Sequence, residues 1–186
     1  MERTLILIKP EGVKRAISGR IISKFEDAGL KIVAMKMAMP DRKLAEMHYP
    51  LDKEWYENAW RNTKRGLEAK GLKMRETPLE LGKRVRGMLM VHLTSGPVIA
   101  FVLEGNDAIA SSRRLCGSTS PNRADPSTIR GMFSTDSYES ADKAGRTIFS
   151  IIHASDSPKS AEREILVWFT KKELLNYKRA DEGLVY

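Results

Sequence analysis

Apolar and polar positions alternate along this chain in short runs whose period switches repeatedly. Leu5-Ile6-Leu7-Ile8 is apolar throughout and reads as a short buried strand, broken by Lys9-Pro10-Glu11-Gly12. From Ser18 or Gly19 the period becomes helical, with Ile21, Ile22 and Phe25 on one face and Gly29 as the stop. Residues 31–39, KIVAMKMAM, alternate well enough for a second strand. Asp41 then caps a helix through Leu44, Met47 and His48. After Ser95-Gly96 the run from Pro97 to Glu104 predicts a third strand, and Asn106 opens a helix through Ile109 and Leu115 that Gly117 ends. A loop rich in Ser, Pro and Asn runs on through Thr128-Ile129-Arg130-Gly131. Residues 148–153 predict a fourth strand. Ser157-Pro158 caps a helix carrying Ile165, Leu166 and Trp168, and a last short helix over 172–177 precedes a charged tail.

Residues 50–86 break this rhythm. They begin aromatic (Trp55, Tyr56, Trp60), turn basic (Arg61, Lys64, Arg65, Lys70, Lys73, Arg75) and are punctuated by Pro78 and Gly82. They read as short helices and loops inserted into a smaller core fold, followed by a helical turn or two over 87–93. With that segment set aside, the elements alternate β-α-β … β-α-β. This is the split pattern of a ferredoxin-like α/β (α+β) sandwich, a four-stranded antiparallel sheet with helices on one face, plus a helical insertion. A length of 186 residues suits one domain, 1–186, and 41% hydrophobic content supplies its core.

Composition narrows the function classes. Cys116 is the sole cysteine, so no internal disulfide forms and a multi-cysteine metal site is excluded, which fits a reducing cytoplasm. No apolar run approaches bilayer length, and the N-terminus does not read as a signal peptide. The net charge of +8 favours polyanionic partners: nucleic acid, phosphorylated metabolites or an anionic membrane surface. Aromatic content of 7% argues against a long base-stacking surface for single strands.

Among the histidines, His48 and His92 lie on apolar helical segments and read most simply as structural. His153 ends a predicted strand just before a helix start, where phosphates are often held by backbone N–H groups and the helix dipole. A hydrogen-bonded edge histidine fits the same spacing. A neutral imidazole can attack a phosphoryl group when its other nitrogen is held by an acceptor, and Glu164 on the following helix could supply one. Lys9 at a strand end, Arg113 and Arg114 at a helix end and Arg130 in a loop could gather positive charge, or could be solvated surface charges. Neither a P-loop nor the Gly-rich loop of protein kinases is present.

The segments ERTLILIKPEGVKR, His48-Tyr49, SGPVIAFVLEG, RRLCGSTSP, STIRGMF and IIHASDSPKSAEREILVWF, in that order, resemble nucleoside diphosphate kinases. The likeness covers the chain except roughly 50–86 and 134–147. It implies that His153 takes the γ-phosphate of a nucleoside triphosphate such as ATP, becomes phosphohistidine, and passes the group to a nucleoside diphosphate by a ping-pong route. Glu164 would orient the imidazole with Ser155 beside it. Lys9, Tyr49, Arg113, Thr119 and Arg130 would hold the phosphates and sugar. Mg²⁺ would arrive on the nucleotide, touching Asp156 through water. A homo-oligomer, hexamer or tetramer, is expected, working in the cytoplasm and not on a membrane. Nucleic acid stands as a secondary partner. The alternative is a catalytically weakened relative acting as a nucleic-acid-binding or regulatory protein.

The chain departs from the family's pattern in three places. Ser150 stands where the family has an Asn that contacts the sugar, which predicts weaker sugar contact or a water in the gap. Val85 stands where a Phe stacks on the base, so Trp55, Tyr56 or Trp60 either takes over that contact or packs the inserted segment. Ala154 replaces a Gly after the histidine, a small change unless the backbone needs positive φ.

Overall fold

The computed structural model describes residues 1–69, 71–181 and 183; Lys70 and tail residues 182 and 184–186 lie outside the described residues. β1 (Glu2–Ile8) leads into α1 (Pro10–Lys14), α2 (Ser18–Asp27), β2 (Lys31–Ala38) and α3 (Arg42–His48). Next come α4 (Lys53–Glu68), α5 (Pro78–Leu93), β3 (Val98–Gly105) and α6 (Ala108–Cys116). The remaining elements are α7 (Ile129–Phe133), α8 (Tyr138–Lys143), β4 (Ile152–Ala154) and α9 (Pro158–Trp168), with 3-10 turns at Pro121–Arg123 and Lys171–Glu173. The strands form one sheet in the order β2-β3-β1-β4, and every neighbouring pair is antiparallel. This is the ferredoxin-like α+β order expected from the sequence.

Helices cover both faces of the sheet, not one. Ile6, Ile8, Phe101 and Leu103 pack with Ile21 and Phe25 of α2 and with Ile129 and Phe133 of α7. On the other face Leu5, Leu7, Ala100 and Val102 meet Ala45 of α3, Leu93 of α5, and Ile165 and Trp168 of α9. The continuous apolar run of β1 is the cause: successive side chains point to opposite faces, and all of Leu5 to Ile8 are fully buried.

Residues 50–86 differ most from expectation. Instead of short pieces, most of them lie in two 16-residue helices, α4 and α5, and the latter runs on through 87–93. The Asp52 carboxylate caps α4 by accepting from Trp55 N–H at 3.0 Å. Thr77 and Glu80 form a capping box on α5, with Pro78 in its first turn, so Pro78 starts the helix and does not break it. Gly82 is a point of close approach: a Cβ there would lie 2.4 Å from Tyr56 Cβ. Trp60 Nε1–H donates to Glu76 O at 2.7 Å, so Tyr56 and Trp60 are occupied within the helix pair.

Three further corrections concern ends. Lys9 to Gly12 is not a bare break, because Pro10 begins α1. β4 is limited to Ile152–Ala154, and the stretch expected as its first half is irregular. In place of a helix over 172–177 there is one 3-10 turn. The chain then runs beside β2, where Leu175 N–H donates to Val33 O at 2.8 Å and the Tyr177 hydroxyl to Ile32 O at 2.7 Å.

Candidate active site

His153 lies at the centre of β4, opposite Leu7 of β1, and not at a strand end as the sequence suggested. The backbone just before it forms a γ-turn: Ile152 N–H donates to Ser150 O at 2.7 Å, and Ile151 between them has φ of 67°. A β-branched residue in the left-handed region costs about 1–3 kcal/mol, which its surroundings must offset. Lys9 N–H donates to Ile151 O at 2.8 Å. Ile151 N–H donates to the Glu11 carboxylate at 2.8 Å, and Arg130 Nη2 donates to Ile152 O at 2.9 Å. The turn delays the start of β4 to Ile152 and sets where the imidazole emerges.

That imidazole is held from one side. Glu164 Oε2 accepts from His153 Nε2–H at 2.7 Å and from the Ser155 hydroxyl at 2.7 Å, while Glu164 Oε1 accepts from Arg163 Nη2 at 3.1 Å. Burial alone would raise the Glu164 carboxyl, but the charge and hydrogen bond of His153, with His48 and Ser155 behind them, hold it below the usual carboxylate range. An ionised acceptor on Nε2 fixes the proton there and leaves the Nδ1 lone pair free.

His48 supplies the wall. It is 2% exposed, and its ring meets that of His153 edge-on at 4.7 Å between centroids. Trp168 Nε1–H donates to His48 Nδ1 at 3.3 Å, so the proton of His48 sits on Nε2, which has no partner among the described residues. Burial, and then the neighbouring His153, push its pKa well below the ordinary value and keep it neutral. Nitrogen and oxygen atoms of His48, His153 and Glu164 lie within 4.8 Å of one another, a spacing that a metal ion could bridge. The donor set does not fit one: His48 Nδ1 is taken by Trp168, its Nε2 carries a proton, and His153 Nε2 is committed to Glu164.

Of the cations named from the sequence, Lys9 is buried and donates through Nζ to Ser150 Oγ at 2.9 Å. Burial lowers its pKa to about 8, with Glu11 opposing and Arg130 adding to the shift. The Ser150 hydroxyl is thus engaged with this lysine. Arg130 donates to the carbonyls of Gly117 at 2.6 Å, Ser150 at 3.3 Å and Ile152 at 2.9 Å. Those bonds use three of a guanidinium's five N–H groups and leave the others for a ligand. Tyr49 caps α3 with its ring 4.5 Å from that of His48. Burial, then Glu164 and Glu11, raise its phenol far above the usual range, so it remains a donor.

Two named residues form a rim. Arg113 and Asp156 line one groove of about 380 Å³ with Glu2 and Pro158. Burial would raise the Asp156 carboxyl, but bonds from Ser160 and Ser157 and the charges of Arg113 and His153 hold it low. Such a carboxylate suits a hard divalent cation, though one exposed oxygen ligand gives only weak hold. Thr119 is exposed on the loop after α6, and no described contact joins it to His153. Val85 is half-buried on α5. Glu11 and His92 were not singled out for chemistry, yet they bond to each other at 2.7 Å beside the γ-turn. The signal available was Glu11's place one residue beyond Lys9-Pro10, at the same strand end.

Comparison with known proteins follows the same lines. A family model described as nucleoside diphosphate kinase matches residues 2–68 and 80–174. The nucleoside diphosphate kinase of Pyrobaculum aerophilum is 43% identical over 180 residues, covering 94% of this chain and 98% of that one. A crystal structure of an NDP kinase from the same organism superposes with a TM-score of 0.89, covering 94% of this chain and 99% of that one at 41% identity. The Borrelia burgdorferi nucleoside-diphosphate kinase, solved as a transition-state mimic with vanadate and ADP bound, has a TM-score of 0.81 and 38% identity, with 97% and 94% covered.

Proposed function

The chain belongs to the nucleoside diphosphate kinase family, and from that premise we propose that His153 carries the phosphoryl group it moves between nucleotides. The enzyme transfers the γ-phosphate of a nucleoside triphosphate, such as ATP, to a nucleoside diphosphate. In the first half-reaction the Nδ1 lone pair attacks the γ-phosphorus, an N–P bond forms, and the bond to the β,γ-bridging oxygen breaks. The departing diphosphate keeps that electron pair. In the second, a terminal oxygen of another diphosphate attacks the same phosphorus and the N–P bond breaks. No separate base is needed, because neutral imidazole attacks without first losing a proton. Its Nε2–H stays on Glu164, whose negative charge offsets the positive charge that develops on the ring.

The observation that carries this reading is the 2.7 Å bond from His153 Nε2 to Glu164, which leaves Nδ1 as the free nucleophile. Ser155 keeps Glu164 in place, and Lys9, Tyr49 and Arg130 offer donors for phosphate oxygens around it. Arg113 and Thr119 are read as outer contacts to the nucleotide. Asp156 would hold, through water, an Mg²⁺ carried in on the nucleotide, and that ion would supply positive charge to neutralise the phosphates. The neighbour's transition-state mimic with vanadate and ADP supports the same chemistry here. The alternative of a weakened nucleic-acid-binding or regulatory relative is not favoured.

The assembly is read as a homo-oligomer, hexamer or tetramer, working in the cytoplasm where its substrates are kept. Among the described residues no helix is long and apolar enough to cross a membrane. The test is incubation with γ-labelled ATP. An acid-labile, alkali-stable label that passes to GDP is expected, and it should vanish in His153→Gln. No label, or one that survives this change, overturns the reading.

A further inference from the structure

The γ-turn before His153 contains a left-handed isoleucine, and its N–H has one described partner, the Glu11 carboxylate, at 2.8 Å. That carboxylate is itself fixed. Its second oxygen accepts from His92 Nε2–H at 2.7 Å, and His92 lies at the last turn of α5, 8% exposed, with its ring 4.8 Å from that of Phe149. On the other side of the turn, Lys9 N–H holds Ile151 O at 2.8 Å. Space is closed as well. A Cβ on Gly12, the residue after Glu11, would lie 2.7 Å from Ile8 Cγ2 and 3.4 Å from Ile151 Cγ2.

We propose that Glu11 and His92 are a positioning pair that holds the strained Ser150–Ile152 turn and so fixes where His153 Nδ1 meets the phosphoryl group. The argument is one of alternatives. An isoleucine released from φ > 0 relaxes toward the β region, and the turn's backbone then redirects β4 at its first residue. An anionic acceptor on the strained residue's own N–H opposes that release. A carboxylate so close to a buried lysine also needs a partner for its remaining oxygen, and His92 provides it. Burial opposes ionisation of Glu11, but His92 and Lys9 keep its carboxyl below the usual range. The pair also ties α5, through one side chain, to the backbone next to the nucleophile. Neither residue has a described contact with His153, and both act through the Ser150–Ile152 backbone, so their effect belongs in the rate of the chemical step and not in nucleotide affinity.

The proposal rests on His153 as the phosphoryl carrier, so single-turnover labelling from γ-labelled ATP is the measurement. Glu11→Leu should slow phosphorylation by about 30-fold with nucleotide Kd within about twofold, since misplacing a reacting atom by an ångström costs on the order of 10²-fold. Glu11→Gln retains an acceptor for Ile151 N–H and should lose much less. His92→Phe keeps the ring packing, removes the donor, and should fall between the two. Adding Ile151→Gly to Glu11→Leu should recover much of the rate while lowering Tm, because glycine enters φ > 0 without strain. A merely structural role for Glu11 predicts the opposite, rate and Tm falling together. Phosphorylation within threefold of wild type in Glu11→Leu, or a loss seen in Kd alone, overturns the proposal. If Glu11→Leu does not fold, His92→Phe decides by the same criteria. Absence of label on wild-type enzyme would instead overturn the reading of His153.

Discussion

At the scale of single residues, the site sets stability against function. Lys9 has a pKa lowered from 10.5 to about 8, chiefly by burial. Between those values the unfolded chain binds the proton that the folded chain has released, so this group's contribution to stability rises with pH from 8 to 10.5. Below pH 8 the fold bears the cost of a buried ammonium, roughly 3 kcal/mol from the size of the shift. Lys9→Met should therefore be more stable than wild type at pH 7, with the gap closing by about pH 10 in denaturant titrations. Nucleotide binding should run the other way. Phosphate favours the charged lysine, so ADP affinity of the wild type should fall as pH rises above 8, and Lys9→Met should lack that limb. A wild-type affinity flat from pH 7 to 9.5 would refute the role. Glu164 behaves differently, because its carboxyl is held low and stays charged throughout this range. Glu164→Gln keeps the shape and removes the charge. It should lower kcat by about 10²-fold, the scale of losing one electrostatic stabiliser, with KM changed little in steady-state kinetics.

At the scale of elements, two glycines in α5 allow a controlled comparison. An added Cβ at Gly82 would meet Tyr56 Cβ at 2.4 Å, whereas at Gly87 it meets nothing within 4 Å. Alanine gains about 1 kcal/mol of helix propensity at either position. Gly87→Ala should thus stabilise by about 0.5–1 kcal/mol, while at Gly82 overpacking of about 1–3 kcal/mol exceeds the gain and the same substitution destabilises. Thermal midpoints that move in the same direction would refute the close packing of α4 on α5. These helices were only partly legible in the sequence. Thr77-Pro78-Leu79-Glu80 carries a capping-box spacing, yet Pro78 and Gly82 read as punctuation because propensity cannot show that one starts a helix and the other receives a neighbour. β1 and β3 were readable because both faces of each strand are apolar. β4 was not, because what shortens it is a left-handed Ile151 held by Glu11, Lys9 and Arg130 from distant parts of the chain. His153 and Glu164 could be named from local pattern and resemblance. His48 read as structural, since only the fold sets its ring against the nucleophile.

For the whole molecule, the sheet edge bears on assembly. Among the described residues β2 is paired with β3 on one side only, and the chain's own tail covers the other side near Ile32 and Val33. Beyond that cover, Met35 and Met37 are 44% and 62% exposed at alternate strand positions and hence on one face, and Met39 just past the strand's end is 69% exposed. Lys36 between them is turned away, paired with Glu173 at 2.8 Å and lying over the Phe169 ring. An open strand edge beside a row of exposed methionines invites another chain, and monomers usually blunt such edges with inward charges, bulges or proline. The irregularity in the β2–β3 register lies between Ile32 and Ala34, so no bulge interrupts β2 from Met35 to Ala38. A second copy of this strand, antiparallel across a two-fold axis, would satisfy the edge and cover the methionines together. Met37→Lys would place two charges near that axis and should reduce the mass measured by sedimentation at micromolar concentration. Lys43→Ala, on the exposed face of α3, serves as the control and should leave that mass unchanged. If Met37→Lys sediments as the wild type does, assembly uses another surface and the methionine row is left without a partner. If it sediments as a smaller species that still becomes labelled by ATP, each subunit carries a complete site, as expected when His153, Glu164, Lys9 and Arg130 all come from one chain.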